Sequence, residues 1–391
     1  MLLSSTDTAI PAASTTYAAC QGTHNVAWNA TYENAISVMP EAGKIGYLFF
    51  WLTSDVGTGG ASATLTLVKN GVDTAVTCAI TDVGGSEVVC SSNNVWANFE
   101  AGDTCQMKLV TSGTLTASNG ASFAQKFVSR HRNVTILMGH TTEASASANR
   151  FAPAVGSLSA AFLTEASVSQ VAPGAGTLRA IYCRAQTAPE NGGGTQTRTY
   201  TWRTNAASAS SADCVLSESA TTASATGLTN AIAAGDNIAW LSAPSGTPVT
   251  GVGASYGAAI VVPSPNSSWL MRSSSSTLSN SATSYTMLNA GAAVANASNA
   301  LQQAVLPFTA RVSSARVSLD GDPTAGGSSY AFTLLRGGSA TSITCTVAAG
   351  ATTCADSANS ELFNIDYGSW QIVPTGTPTA RRARVSFVVK P

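Results

Sequence analysis

The sequence has few charged residues and no long hydrophobic run. Only 10% of its 391 residues are charged, and 19 basic residues against 20 acidic ones leave a net charge of −1. Nucleic acids and anionic membranes attract proteins with a surplus of basic residues, so this balance points to neither as a partner. The longest apolar run, IGYLFFWL at 45–52, is far shorter than the roughly 18 residues of a membrane-spanning helix, and we expect no membrane insertion.

A secretory signal is also missing from the start of the chain. The segment MLLSSTDTAIPAASTTYAACQG has neither the basic head nor the apolar centre of such a signal. The chain is otherwise rich in Ala, Ser, Thr and Gly and is 44% apolar, which suits a neutral, dense β-structure exposed to the environment. A protein of extracellular character without a signal is expected for a virus particle that is released by lysis.

The sequence repeats its landmarks three times. The period is 133 or 134 residues for prolines and aromatic residues, and cysteines follow it approximately. The matching sets are Pro40, Pro173 and Pro307; Tyr17, Phe151 and Tyr285; and Cys78, Cys214 and Cys345. Such a period is the mark of repeated structural units. We therefore predict three tandem domains, at 1–133, 134–267 and 268–391.

Each unit reads as a β-sandwich. Residues alternate between apolar and polar in stretches such as ATLTLV and ARVSLD, which is the pattern of half-buried strands. Asn70-Gly71 and Gly337-Gly338 separate pairs of such stretches and favour tight hairpin turns, whereas the middle unit has a degraded version, TYTWRTNAASASSADC. The prediction is an all-β protein of three jelly-roll-like sandwiches with six to eight strands each.

Three linked sandwiches can be arranged in two ways. They can pack around an axis as a single-chain pseudo-trimer, since the linkage gives each unit a high effective concentration of its neighbours. They can also form a string of separate domains along a fibre. The connections contain no long Pro- or Gly-rich linker, and this favours the pseudo-trimer.

Every unit contains an even number of cysteines, which favours disulfides within units. The predicted pairs are Cys78–Cys90, Cys183–Cys214, Cys345–Cys354 and Cys20–Cys105. The alternative is that these residues are buried free thiols, which behave as small apolar side chains. Three histidines and no CxxC motif give no zinc site, and we expect no cofactor.

One string resembles a catalytic motif. GASYG at 253–257 matches G-x-S-x-G, with Ser255 in the place of a nucleophile. In hydrolases this motif needs a strand, a turn and a helix. Here Ser255 corresponds to Ser122 of the first unit, and His24, His131 and His140 do not recur, so no base accompanies it. We interpret Ser255 as part of the scaffold and expect no enzyme.

Two further groups are candidate binding residues. Acidic, glycine-rich loops contain Asp55, Asp320 and Asp322, whose carboxylates are possible Ca²⁺ ligands or simply solvated turn residues. Basic residues gather near the last strand of two units and are candidates for contact with an acidic partner, or for protecting an exposed strand edge. The basic residues are Lys126, Arg130, Arg132, Arg381, Arg382 and Arg384.

The triplicated β unit, the low charge and the missing signal resemble structural proteins of tailed-phage particles, such as capsid decoration (cement) proteins and fibre modules. The resemblance implies a non-enzymatic protein on the particle exterior that contacts other virion proteins such as the major capsid protein. The alternative is a fibre adhesin that binds a host surface glycan through Trp51, Trp202 or Trp370. A glycan hydrolase is disfavoured, because paired carboxylates are missing.

Overall fold

The computed structural model describes most of the chain between residues 2 and 390, and its regular elements there are β-strands and two short 3-10 helices, Tyr32–Ala35 and Glu165–Ser167. No helix in the described residues is long and apolar enough to cross a membrane. The residues outside the description are 1, 7–9, 22–27, 53, 83–87, 116–120, 132, 142–144, 159–163, 191–194, 249–252, 265–266, 275, 289–303, 307–308, 325–326, 365 and 391.

The first third of the chain folds into two sheets, which we call the first sandwich. One sheet has the order β1-β9-β4-β7, and the other has the order β2-β8-β5-β6 with β3 also paired to β8. The strands β1 to β9 are, in order, Leu2–Thr6, Thr15–Ala19, Ser37–Val38, Gly43–Leu52, Gly57–Lys69, Val72–Thr81, Val89–Phe99, Thr104–Leu115 and Ala121–Ser129.

The middle third forms the second sandwich in the same manner. Its sheets have the orders β10-β19-β14-β17, with β12 parallel to β10, and β11-β18-β15-β16, with β13 paired to β18. The strands β10 to β19 are, in order, Val134–Thr141, Arg150–Pro153, Gly156–Leu158, Gln170–Val171, Gly176–Ala185, Thr197–Thr204, Ala207–Ser217, Thr222–Ile232, Asn237–Ser245 and Ala254–Val261.

The last third forms the third sandwich. Its sheets have the orders β20-β28-β23-β26 and β21-β27-β24-β25, with β22 paired to β27. The strands β20 to β28 are, in order, Ser268–Ser273, Ser284–Met287, Ala304–Leu306, Ala310–Leu319, Ser329–Arg336, Ser339–Ala348, Thr353–Phe363, Asp366–Thr375 and Ala383–Lys390.

Apart from β12, the strand order is the same in all three sandwiches, and it is that of a jelly roll. The prediction of an all-β sandwich protein is confirmed. The expected six to eight strands per unit were too few, because very short strands such as β3, β13 and β22 add to the second sheet of each sandwich. That the three are copies of one domain, divided at 133 and 267, stays a prediction.

All three sandwiches have the tight hairpin between their fourth and fifth large strands, which are β5 and β6, β15 and β16, and β24 and β25. Asn70 and Gly71 both have positive φ, at 48° and 80°, as a type I′ turn requires. In the second sandwich Asn205 and Ala206 adopt φ values of 50° and 63°. The hairpin there is intact, so its description as degraded was wrong. The side-chain amide of Asn205 donates to Asp236 Oδ1 at 2.7 Å, as that of Asn70 does to Asp103, so the first residue of both turns is held in the same way.

The hydrophobic core of each sandwich includes side chains from a neighbouring one. Ile136 and Met138 of β10 pack into the first core, Trp269 and Met271 of β20 pack into the second, and Ala124 of β9 packs into the third. The short strands follow the same cycle. β3 contacts β10, β14 and β19; β13 contacts β20, β23 and β28; and β22 contacts β1 and β9.

Three disulfides are formed, Cys20–Cys105, Cys78–Cys90 and Cys345–Cys354, in agreement with three of the predicted pairs. The fourth predicted pair, Cys183–Cys214, was wrong: both residues are buried free thiols. In the first sandwich the bridge joins β6 to β7, and in the third it joins β25 to β26. Cys183 instead lies on β14, one strand further into the sheet.

Candidate functional site

An open groove of about 450 Å³ lies beside the first hairpin. It is formed where β2, the 3-10 helix Tyr32–Ala35, the β5–β6 turn and β8 come together. The lining residues are Tyr17, Tyr32, Val68, Gly71, Val72, Asp73 and Lys108.

Two tyrosines form the aromatic wall of this groove. Their rings are 5.5 Å apart and almost perpendicular, at 86°. Tyr17 is fixed by β2, since it lies opposite Lys108 and exchanges backbone hydrogen bonds of 2.8 and 2.9 Å with Asn29. The carbonyl of Tyr32 accepts a hydrogen bond from the side chain of Gln106, which is buried. The wall is therefore held by the strands behind it.

The opposite side of the groove comes from the hairpin. Asp73 follows the turn, and its carboxylate forms an ion pair with the ammonium group of Lys108. Val72 is 69% exposed at the rim. The groove thus combines an aromatic surface, an apolar rim and a half-exposed carboxylate, which together suit a flat or cationic group.

A second exposed cluster lies on the outer face of β4, β7 and β9. The ammonium of Lys44 is 4.5 Å from the centre of the Trp96 ring, and that of Lys126 is 5.7 Å from the centre of the Tyr47 ring. The two rings meet edge to face at 5.2 Å, and Tyr47 donates a hydrogen bond of 2.7 Å to Asn94. Tyr47 occupies a β-bulge and has a φ of 52°.

Sequence reasoning found only Lys126 of these two surfaces. The groove residues come from four separate elements, and no local pattern joins Tyr17 to Asp73. For the second cluster a signal existed. Gly46 and Tyr47 interrupt the alternation of β4. A Cβ at Gly46 would lie 2.2 Å from the Val95 carbonyl oxygen and 2.7 Å from the Trp96 ring, so this position must stay small.

The predicted basic contact residues are in differing surroundings. Arg130 is exposed and forms an ion pair with Glu100, which is exposed too. Arg381 donates to the carbonyl of Asp322 at 2.8 Å, and Arg382 forms an ion pair with Asp320 at 3.6 Å. Arg132 lies outside the described residues. Contact of the exposed residues with a partner stays a prediction.

The prediction that Arg384 contacts a partner was wrong. Its side chain is buried, and it donates to Ser318 Oγ at 3.1 Å and to the carbonyl of Ala166 in the second sandwich. Burial lowers the pKa of this arginine, while the charges of Asp320 and Glu165 act in the opposite direction. Arg384 therefore joins two parts of this chain and is not available to another protein.

The acidic candidates serve the loops that contain them. Asp322 Oδ1 accepts hydrogen bonds from the backbone N–H groups of Thr324 and Gly350, both at 2.9 Å, and these bonds lower its pKa. Asp320 accepts one from Arg382, and Asp55 accepts one of 3.4 Å from Gly57. In the part of the chain that the structure describes, no three His, Cys, Asp or Glu side chains are grouped to hold a metal ion.

The residues of the catalytic-looking string are structural. Ser255 lies within β19, is buried, and donates its hydroxyl to the carbonyl of Ile36 in the first sandwich. His140 is buried in β10. His131 Nδ1 is 2.7 Å from Glu41 Oε1, and Arg179 of the second sandwich is 3.3 Å from His131 Nε2, so this cluster spans two sandwiches.

Two of the three tryptophans proposed to bind a glycan cannot do so. Trp202 and Trp370 are buried, and Trp202 packs edge to face on Trp240 at 5.3 Å. Trp51 is half-buried and stacks on Tyr367 of the third sandwich at 6.2 Å. Burial of a side chain as large and apolar as tryptophan contributes strongly to a core.

The chain matches no protein-family model and no curated protein. Among solved structures it is similar to a chain in the atomic structure of Sulfolobus Turreted Icosahedral Virus, with 14% identity over 91% of this chain and 81% of that one. The TM-score is 0.20, which is too low to carry an argument about function.

Proposed function

We propose that this protein is a non-enzymatic structural protein of a virus particle, and more specifically a decoration protein on the outside of a capsid. The observation that carries the proposal is the cycle of contacts, in which β3, β13 and β22 each pack on the first sheet of the neighbouring sandwich. A cycle of three gives a single chain the symmetry of a trimer. Such a chain fits threefold positions of a capsid lattice.

Contacts at one equivalent position support a closed pseudo-trimer. Three residues, Phe49, Tyr182 and Arg316, are at equivalent positions of β4, β14 and β23. Each directly precedes the residue that pairs with Cys90, Ala223 or Cys354 on the next strand of the sheet. Phe49 packs on the third core and Tyr182 on the first. Arg316 donates to the carbonyl of Pro173 in the second sandwich at 3.4 Å.

The fold class is compatible with this role. Jelly rolls build many viral capsid proteins and lectins, although a fold alone does not define a function. Stabilisation of a capsid by such a protein comes from apolar and hydrogen-bonding surface buried across neighbouring subunits, and it needs no cofactor. The partner in this proposal is the major capsid protein.

The test is the copy number in particles purified from the source of the sequence. A decoration protein is present in a fixed ratio to the major capsid protein, in hundreds of copies, and quantitative mass spectrometry measures that ratio. A few copies per particle, located at a fibre tip by immuno-electron microscopy, contradict decoration. Complete absence from particles contradicts the virion role.

The second candidate is an adhesin for a host surface glycan. It is favoured by the cluster of Lys44, Tyr47, Trp96 and Lys126, since aromatic rings flanked by cations are suited to an acidic sugar. A glycan array probed with the protein and with Trp96→Ala distinguishes the two roles. Binding that the substitution removes supports the adhesin, and no binding to any glycan contradicts it.

A further inference from the structure

The groove of the first sandwich has a filled counterpart in the second. Val68 and Arg203 hold the same position before their hairpin turns, because Val68 pairs with Asp73 across the first hairpin as Arg203 pairs with Ser208 across the second. In the first sandwich the short side chain of Val68 leaves the groove open, whereas in the second the longer side chain of Arg203 occupies the equivalent space. Comparing the two shows what kind of group the open groove accepts.

Arg203 is held by four contacts. Its guanidinium donates through Nε to Glu165 Oε2 at 2.7 Å and through Nη1 to Ser208 Oγ at 2.9 Å, and Nη2 donates to the carbonyl of Ala206. The same group lies 5.6 Å from the centre of the Phe151 ring. These contacts bury most of the side chain, which is 15% exposed.

The open groove presents an equivalent of each of these four contacts. Tyr17 replaces Phe151. Tyr17 pairs with Lys108, which pairs with Thr66, two residues before Val68. In the same way Phe151 pairs with Leu241, which pairs with Thr201, two residues before Arg203.

The three polar contacts have equivalents as well. Asp73 replaces Ser208, and Gly71 replaces Ala206 in the turn. Tyr32 replaces Glu165, because each begins the 3-10 helix five residues before β3 or β13. A Cβ built on Gly71 would lie 3.3 Å from the Tyr32 hydroxyl, so this hydroxyl lies close to the turn at the edge of the groove.

We infer that this groove is a socket for an arginine side chain of another protein chain. The guanidinium lies against the Tyr17 ring and donates hydrogen bonds to the Asp73 carboxylate, the Gly71 carbonyl and the Tyr32 hydroxyl. Lys108, which pairs with Asp73 in the isolated protein, moves to the rim. The carboxylate in place of a serine strengthens the contact with an incoming cation, since the bond becomes charge-assisted.

The arrangement selects arginine over lysine. A guanidinium is planar and donates in several fixed directions, and it stacks on aromatic rings, whereas an ammonium group is a compact, strongly hydrated point charge. The groove offers three acceptors and an aromatic ring, as the surroundings of Arg203 do. The inference concerns one surface of the first sandwich and holds whether the partner is a capsid protein or another protein.

The methyl groups of Val68 and Val72 report on the groove directly. We expect an acetyl-Gly-Arg-Gly-amide peptide to shift their ¹³C-methyl NMR signals and to saturate in the millimolar range, as a single anchor without further contacts does. Matched peptides with lysine or with uncharged citrulline should bind at least several-fold more weakly. Equal shifts with citrulline, or none with the arginine peptide, overturn the inference. Tighter binding of free arginine than of the peptide overturns the assignment to a protein partner.

Two exchanges between the sandwiches make the test specific. Val68→Arg with Tyr32→Glu installs the arrangement of the second sandwich and should abolish peptide binding. Arg203→Val with Glu165→Tyr empties the second position and should add a second site, seen as new shifts near Phe151. Asp73→Asn, an isosteric change at a half-exposed position, should weaken binding several-fold while changing the melting temperature little, since ion pairs near the surface contribute little to stability. Unaltered binding in the first exchange contradicts the proposed location.

Discussion

Cys183 lies directly opposite Ala223 across the β14–β17 pair, whereas Phe50 faces Cys90 in the first sandwich and Val317 faces Cys354 in the third. The second sandwich therefore has its cysteine on the wrong side of this strand pair for the bridge that the others form. Cys214 already points to Ala223, which has the position of the second cysteine in the other sandwiches, since its thiol donates to the carbonyl of Ala223 at 3.1 Å.

Replacing Ala223 with cysteine should restore the bridge. In a Cys183→Ala background, Ala223→Cys is expected to form a disulfide with Cys214 and to raise the free energy of unfolding by about 2–3 kcal/mol, the value for a loop of this length. Denaturant unfolding with and without reductant measures the gain, and Cys183→Ala alone is the control. If thiol counting finds the engineered pair still reduced under oxidising conditions, the equivalence of Ala223 with Cys90 and Cys354 is wrong.

The native bridges should differ in their contributions. Cys20–Cys105 closes a loop of 85 residues, and Cys78–Cys90 closes one of 12. Constraint of the unfolded chain grows with loop length, so replacing the first pair by alanines should cost about 4–5 kcal/mol and replacing the second about 3 kcal/mol. Urea unfolding of the two double variants gives the comparison. An equal or larger loss for Cys78–Cys90 contradicts this ranking.

Local sequence patterns were enough for most of the strands, for the hairpins of the first and third sandwiches and for three disulfides. Asn70-Gly71 identifies a turn because both residues tolerate positive φ, and alternation then sets which side chains point inward. Arg382 and Arg384 stand two positions apart near the last strand, and alternation puts them on one face, which suggests a common surface. Alternation carries no information on what covers that face, and Ala166 of another sandwich covers Arg384.

The candidate site was beyond prediction for a related reason. Tyr17 and Tyr32 belong to different elements, and they meet only because β2 and the 3-10 helix are both anchored to β8. The aromatic residues named for glycan binding were tryptophans instead, and two of them, Trp202 and Trp370, belong to the cores. Internal repetition held the missing clue, since Arg203 stands where the first sandwich has Val68.

A closed arrangement of the sandwiches makes Phe49→Ala a test of cooperativity. Because Phe49 packs on the third core, we expect a loss of about 2 kcal/mol and faster amide exchange in both the first and third sandwiches. Val72→Ala, at a 69% exposed position, is the control and should change stability little. Hydrogen exchange followed by mass spectrometry locates the effect. Faster exchange in the first sandwich alone, with separate unfolding transitions, would support independent domains.

His140 should make the protein sensitive to mild acid. It is buried in β10, and burial lowers its pKa from 6.5 to about 4. Between these two values the unfolded chain binds a proton that the folded protein does not. The free energy of unfolding therefore falls as the pH is lowered, by about 3 kcal/mol on reaching about pH 4.

His140→Leu removes the titrating group and should flatten this dependence. Urea unfolding at about pH 7 and about pH 5 measures the difference for each protein. This interval lies above the range, below about pH 5, in which carboxylates with a lowered pKa such as Asp103 and Asp356 cost stability. His131→Gln, at a half-exposed histidine, is the matched control. The buried histidine is not the acid-sensitive group if His140→Leu keeps the full pH dependence, because the proton uptake must then occur elsewhere.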